Sequence, residues 1–118
     1  MIRYDGYYTS DPLPYKDGNA RYREEGYFHN AYLFLSNGTY LKAVKKTKPE
    51  QVSFSEADFN PDFPNKYEVK DNEVIITFET GTEWEFIEVY MIINSTILKC
   101  KDKTLHFFSW WIKYRMVV

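Results

Sequence analysis

A chain of 118 residues with 44% hydrophobic and 27% charged side chains forms a single domain that buries about two thirds of its unfolded surface, which excludes a disordered chain. A net charge of −2 argues against a nucleic-acid or anionic-membrane surface, and the lone cysteine excludes an internal disulfide or a cysteine-built metal site. No apolar stretch approaches the ~20 residues that span a bilayer.

The unusual feature is an aromatic content of 19%, made of 11 Tyr, 9 Phe and 3 Trp. These residues favour strands and also line apolar pockets. The chain opens on Met1-Ile2-Arg3-Tyr4, with no basic-then-apolar leader. That start implies a cytoplasmic protein if Met1 is native, and an exported one if a leader has been removed. A strand is expected near 3–9. Ser10 to Gly26 then reads as a long polar connection, carrying Asp11-Pro12-Leu13-Pro14-Tyr15 and Asp17-Gly18-Asn19, of the kind used as a lid or binding loop.

Strands near 27–36 and 39–47 flank Asn37-Gly38, a strong hairpin dipeptide. A two-residue loop there sets Phe34 opposite Leu41 and Tyr32 opposite Ala43 on the inward face. The outward face then carries His29, Leu33, Leu35, Tyr40, Lys42, Val44 and Lys46. Such an apolar exterior needs a cover, either the Lys48–Asn65 connection, the Trp110–Val118 tail, or a second copy docking through Leu33, Leu35 and Tyr40. The Lys48–Asn65 connection holds Phe54, Phe59 and Phe63, which suit a flap pinned to the body or a recognition loop.

Strands near 66–70 and 73–80 turn at Asp71-Asn72, setting Val69 against Val74 and Tyr67 against Ile76, with Lys70–Glu73 and Glu68–Ile75 on the other side. At Gly81-Thr82 a two-residue loop turns Trp84 and Phe86 outward, while a three-residue loop or bulge turns them inward, and both remain open. Strands near 83–94, 96–101 and 104–113 complete the chain. Asn94-Ser95 as a loop sets Met91 opposite Leu98 and Val89 opposite Cys100, with Glu88–Lys101 and Tyr90–Lys99 outside. Asp102-Lys103 sets Cys100 opposite Leu105 and Leu98 opposite Phe107, with Lys99 opposite His106 outside. Both hairpins send the same residues of the shared strand inward. The expected fold is therefore all-β, an up-and-down meander of about eight antiparallel strands closing into a barrel, which removes exposed edges.

Chemistry-bearing residues are few. His29 and His106 fall on outer faces without a carboxylate to orient them. No nucleophile elbow, zinc-binding helix motif or phosphate loop is present. Glu83 and Glu85 share a face at one rim, where acid–base work is conceivable and solvation is the simpler role. Cys100, expected between Val89 and Leu105, reads as an inert buried thiol. The Asn37-Gly38-Thr39 and Asn94-Ser95-Thr96 matches to a glycosylation acceptor coincide with turns that already favour Asn. No catalytic residue, metal ligand or cofactor is assigned.

Gly6-Tyr7-Tyr8 in the first strand, a long first connection and a run of hairpins with Asn37-Gly38-Thr39-Tyr40 at a turn together resemble the lipocalin-like small barrels. Tyr8 stands where that family has Trp, and no C-terminal helix is evident. The resemblance implies non-covalent binding of a small apolar or aromatic ligand inside the barrel, with Phe28, Tyr32, Phe34, Tyr67, Met91 and Phe107 as lining and Ser10–Gly26 as lid. The alternative is a protein-interaction module, of inhibitor or immunity type, with a filled core and an outer apolar face. An enzyme ranks third, because no catalytic constellation stands out.

Overall fold

The computed structural model describes residues 1–16, 25–62 and 64–110. Nine strands follow one another: β1 (Gly6–Ser10), β2 (Leu13–Lys16), β3 (Glu25–Phe34), β4 (Thr39–Thr47), β5 (Asn65–Lys70), β6 (Glu73–Phe78), β7 (Phe86–Asn94), β8 (Ile97–Cys100) and β9 (Lys103–Ser109). They form one antiparallel sheet in the order β1-β9-β8-β7-β6-β5-β4-β3-β2, and β1 also pairs with β3. That pairing closes eight strands into an up-and-down antiparallel barrel. β2 continues along the edge of β3 past the point of closure, so the first long connection contains a strand that the sequence pattern did not reveal. The rest of the expected lid, residues 17–24, lies outside the described residues, as do residues 111–118.

The Asp71-Asn72 hairpin has the expected register, Tyr67 opposite Ile76 and Val69 opposite Val74. The other four connections differ. At the β3–β4 turn Gly38 has a φ of 85°. Leu35 N–H donates to Thr39 O at 2.8 Å, and Gly38 N–H to Leu35 O at 3.3 Å. The loop is therefore three residues long, with glycine in the left-handed position. Phe34 faces Tyr40 and Leu33 faces Leu41, so Tyr32 and Phe34 stay inside, Tyr40 joins them, and Leu41 and Ala43 move to the exterior.

At the β7–β8 turn Asn94 Oδ1 accepts from Thr96 N at 2.9 Å and from Thr96 Oγ1 at 2.8 Å, which moves the turn one residue on. A bulge then falls between Ile92 and Asn94. Met91 faces Lys99 and Ile92 faces Leu98. Because side chains alternate, this one-residue slip reverses β7: Tyr90 and Ile92 point in, Val89 and Met91 point out.

The β8–β9 turn uses Lys101 at φ 55° followed by Asp102, so Leu98 faces Leu105 and Cys100 faces Lys103. That slip is two residues, and it leaves Leu98, Cys100, Leu105 and Phe107 on the expected side. β6 and β7 are joined through residues 79–85, seven residues rather than two or three, and Phe78 faces Phe86. Trp84 is exposed in that connection, whereas Phe86 shares the inward side of β7 and stacks on Phe78 at 4.7 Å.

The barrel axis is filled with rings. Phe34 meets Tyr8, Tyr40 and Tyr67 at centroid distances of 5.6, 5.9 and 4.8 Å, and Tyr32 and Tyr40 both reach Phe78 at 6.1 Å. Val74, Ile76, Tyr90, Leu98 and Leu105 complete this core. At the end where β1 begins, the Tyr8 hydroxyl donates to Ser95 O at 2.6 Å and accepts from Arg3 N at 2.9 Å. The Arg3 guanidinium lies 4.3 Å above the Phe107 ring and forms a two-point pair with Asp5.

Gly6 allows β1 to approach β9. A methyl group there would sit 2.0 Å from Phe108 O and 2.7 Å from Phe107 Cζ, so backbone would have to move. Gly6→Ala is expected to lower stability by about 1–3 kcal/mol, the range for overpacking a filled site. Chemical denaturation measures this; an unchanged midpoint would show that closure does not need the close approach.

Candidate functional site

The six residues expected to line a ligand cavity do not gather around one. Phe34 and Tyr67 lie in the packed core with Tyr32, and Phe107 packs against it from the Arg3 side. Phe28 stands beyond the point of closure with its ring beneath Lys46 Nζ at 5.7 Å. Met91 is on the exterior, by the register slip described above. A side chain bordering a void wide enough for water keeps accessible surface, and Tyr8, Tyr40, Val74, Ile76 and Leu98 keep none. Around these residues the interior is packing.

The core tyrosines send their hydroxyls to the barrel wall: Tyr40 to Thr77 O at 2.7 Å, Tyr67 to Leu35 O at 2.5 Å, Tyr90 to Glu88 Oε1 at 3.2 Å. Burial, with some help from Glu88, raises the Tyr32 hydroxyl to about 12. Burial likewise pushes Tyr40, Tyr67 and Tyr90 above the ordinary tyrosine range.

The exterior has two apolar faces. The first, on β1, β3 and β4, comprises Tyr7, Ala31, Leu33, Leu41 and Ala43, and Phe54, Phe59 and Trp110 cover it. The Lys48–Asn65 connection is thus a flap, and several polar contacts clamp it. Phe54 N–H donates to the Tyr7 hydroxyl at 3.2 Å. Lys45 Nζ donates to Ser53 O at 2.8 Å and pairs with Asp58 at 3.1 Å. The Asp58 carboxyl, held by the Ser55 backbone N–H and by Lys45, lies below the usual carboxylate range.

His29 is buried under this flap, with Nε2 3.0 Å from Pro49 O. A carbonyl only accepts, so Nε2 carries the proton. The expectation of a surface histidine is corrected. Of the three covers expected for Leu33, Leu35 and Tyr40, the Lys48–Asn65 connection is the one found on Leu33 and Leu35, and Tyr40 is inside the barrel and needs none. Phe63 of the flap lies outside the described residues.

The second apolar face has no such cover among the described residues. On β7, Ile87, Val89, Met91 and Ile93 retain 61%, 40%, 57% and 51% of their full exposure. Ile75 on β6 stands beside Val89, which widens the stripe. An open groove of about 700 Å³ runs along it. Phe86, Ile87, Val89 and Met91 give the groove its apolar surface, Glu73 lines it from β6, and Lys99 and Lys101 line it from the β8 side.

The groove exists because β8 bonds only the C-terminal half of β7, from Met91 onward, while β6 bonds the strand from Phe86. Glu88 lies where the groove meets the barrel end, paired with Lys103 at 2.8 Å. That pair holds the Lys103 ammonium above its usual range.

Cys100 also lines the groove and is half-buried, opposite Lys103 rather than sealed between Val89 and Leu105. The inert-thiol expectation is therefore corrected to an accessible one. Glu83 and Glu85 precede β7 instead of lying on it, and Glu85 Oε1 accepts the Gly81 N–H at 3.1 Å. His106 is outward as expected, but Asp11 stands 3.6 Å from its Nε2. Among the described residues no three His, Cys, Asp or Glu side chains gather as metal ligands, and no helix is long and apolar enough to cross a membrane.

The sequence reading missed Ile87, Val89 and Ile93 as surface. The signal was present in Phe86-Ile-Glu-Val-Tyr-Met-Ile-Ile93, a strand apolar on both faces where a barrel exterior is ordinarily polar. Compared with known proteins, the chain matches no family model, no curated protein and no solved structure.

The buried tyrosines generate a pH dependence. Their folded-state values are raised, so the native state keeps protons that the unfolded chain releases near pH ~10. The associated stability is complete below that point and is lost as pH rises toward 12 and beyond. Unfolding midpoints measured across alkaline pH should fall together with the appearance of tyrosinate absorbance. A midpoint constant through pH 12 would contradict the buried hydroxyl environment.

Proposed function

We propose that this barrel is a protein-interaction module that binds through the outer face of β7, with its interior serving as a filled core. The observation that carries the reading is the exposed row Ile87, Val89, Met91 and Ile93, with a groove of about 700 Å³ along it. Monomers rarely leave such a contiguous aliphatic patch bare. The row from Ile87 to Ile93 covers six residue steps of β7, about 20 Å at strand rise. That length exceeds a small ligand and suits a polypeptide surface. An apolar centre with a charged border is also the usual build of a protein interface. The packed rings on the axis weigh against the other reading, a small apolar ligand inside the barrel.

Two reporters test this on the native protein. An anilinonaphthalene sulfonate probe should brighten on the folded chain and slow the reaction of Cys100 with a disulfide reagent, because Cys100 lines the groove. Met91→Glu should abolish both effects while leaving stability within about 0.5 kcal/mol, as expected for an exposed position. Saturable one-to-one uptake of a fluorescent fatty acid that survives Met91→Glu would put the ligand inside the barrel and overturn the reading.

A further inference from the structure

We propose that the partner on the β7 face is a second copy of this chain, related by a two-fold axis lying in the interface and parallel to β7. The inference rests on the reading of β7 as the binding face and adds the identity and orientation of the occupant.

Glu73 on β6 faces Met91 on β7, and Met91 faces Lys99 on β8. All three side chains share the outer side, and Glu73 and Lys99 are exposed. Neither charge has a hydrogen bond or ion pair among the described residues. In this row Met91 therefore has an acidic neighbour on one side and a basic one on the other, each one strand spacing, about 4.8 Å, away, with Lys70 of β5 beyond Glu73. The groove lining adds Lys101 on the basic side, with Asp102 and Lys103 at the turn beyond it and Glu88 on β7 paired with Lys103.

Two copies can place these outer faces together by an in-plane two-fold axis in two principal ways. An axis perpendicular to β7 lays each flank on itself, Glu73 over Glu73 and Lys99 over Lys99, which is repulsive twice. An axis parallel to β7 exchanges the flanks. Met91 then meets Met91, and Glu73 of each copy meets Lys99 of the other in the same row, so both charges are paired twice over. Sheets stacked face to face sit about 10 Å apart with strands within roughly 30°, a gap these long side chains can bridge. A two-fold interface needs a patch complementary to itself, and a stripe with opposite charges on its two flanks meets that condition. Val89 continues the apolar contact along the strand, with Ile75 beside it.

Sedimentation or light scattering across a dilution series should show a monomer–dimer equilibrium that Met91→Glu abolishes. Glu73→Lys and Lys99→Glu should each weaken the dimer at least about tenfold, since each leaves like charges opposed. The double variant E73K/K99E, which restores opposite charges across the axis, should dimerise again. An equimolar mixture of the two single variants should form a heterodimer, which also shows that each is folded. A wild-type chain monomeric at every concentration overturns the proposal, as does a dimer indifferent to Met91→Glu or a double variant that stays monomeric. If the wild type is monomeric while Met91→Glu still removes the apolar-probe signal, the binding face stands and only the second copy as its occupant is wrong.

Discussion

β1 is bonded on both edges, to β9 along Gly6–Ser10 and to β3 at Tyr8 and Thr9, and this double pairing converts an open sheet into a barrel. It requires a residue without a side chain at Gly6 and a ring at Tyr8 that reaches the axis. Once the sheet is closed, every inward side chain competes for one narrow interior. An eight-stranded barrel has room for its own side chains or one small ligand. Here Tyr8, Tyr32, Phe34, Tyr40, Tyr67, Phe78 and Tyr90 occupy it. Large rings fill the axis around these residues.

The two outer apolar faces pose one physical problem, and only one of them is solved within the described chain. On β3 and β4 the flap brings Phe54 and Phe59 down over Leu33 and Leu41, and His29, Lys45 and Asp58 pin it. On β7 the same kind of surface meets solvent along Ile87–Ile93. The flap thus shows what this chain does with an apolar exterior intended to be intramolecular. Among the described residues the β7 face carries no such clamp, and Glu73 and Lys99 beside Met91 have no ion pair there.

Asp71-Asn72 shows how far local sequence can reach. Its two strands are apolar on one side and charged on the other, so only one register satisfies both, and that register is found. The all-β class, the near-complete meander and the aromatic core followed from the same reasoning. The Asn-Gly turn lies where expected but is one residue longer, and the turn expected at Asn94-Ser95 falls one residue later. In each, the Asn side chain reaches the Thr two residues on, at 3.1 Å from Asn37 and 2.9 Å from Asn94, and the turn shifts with it.

Strand period and turn chemistry are local, so the residues alone carry the composition of the barrel and the approximate places of its turns. Which side of β7 is inside was decided only by the tertiary structure. Both of its faces are apolar, so alternation does not choose between them. The choice came from Ile92 meeting Leu98, with a bulge after Ile92 absorbing the mismatch. The same long-range fit decided that Tyr40 enters the core while Leu41 goes beneath the flap. A one-residue slip has no local signature, yet it exchanges core and surface along a whole strand, and here it created the candidate binding face.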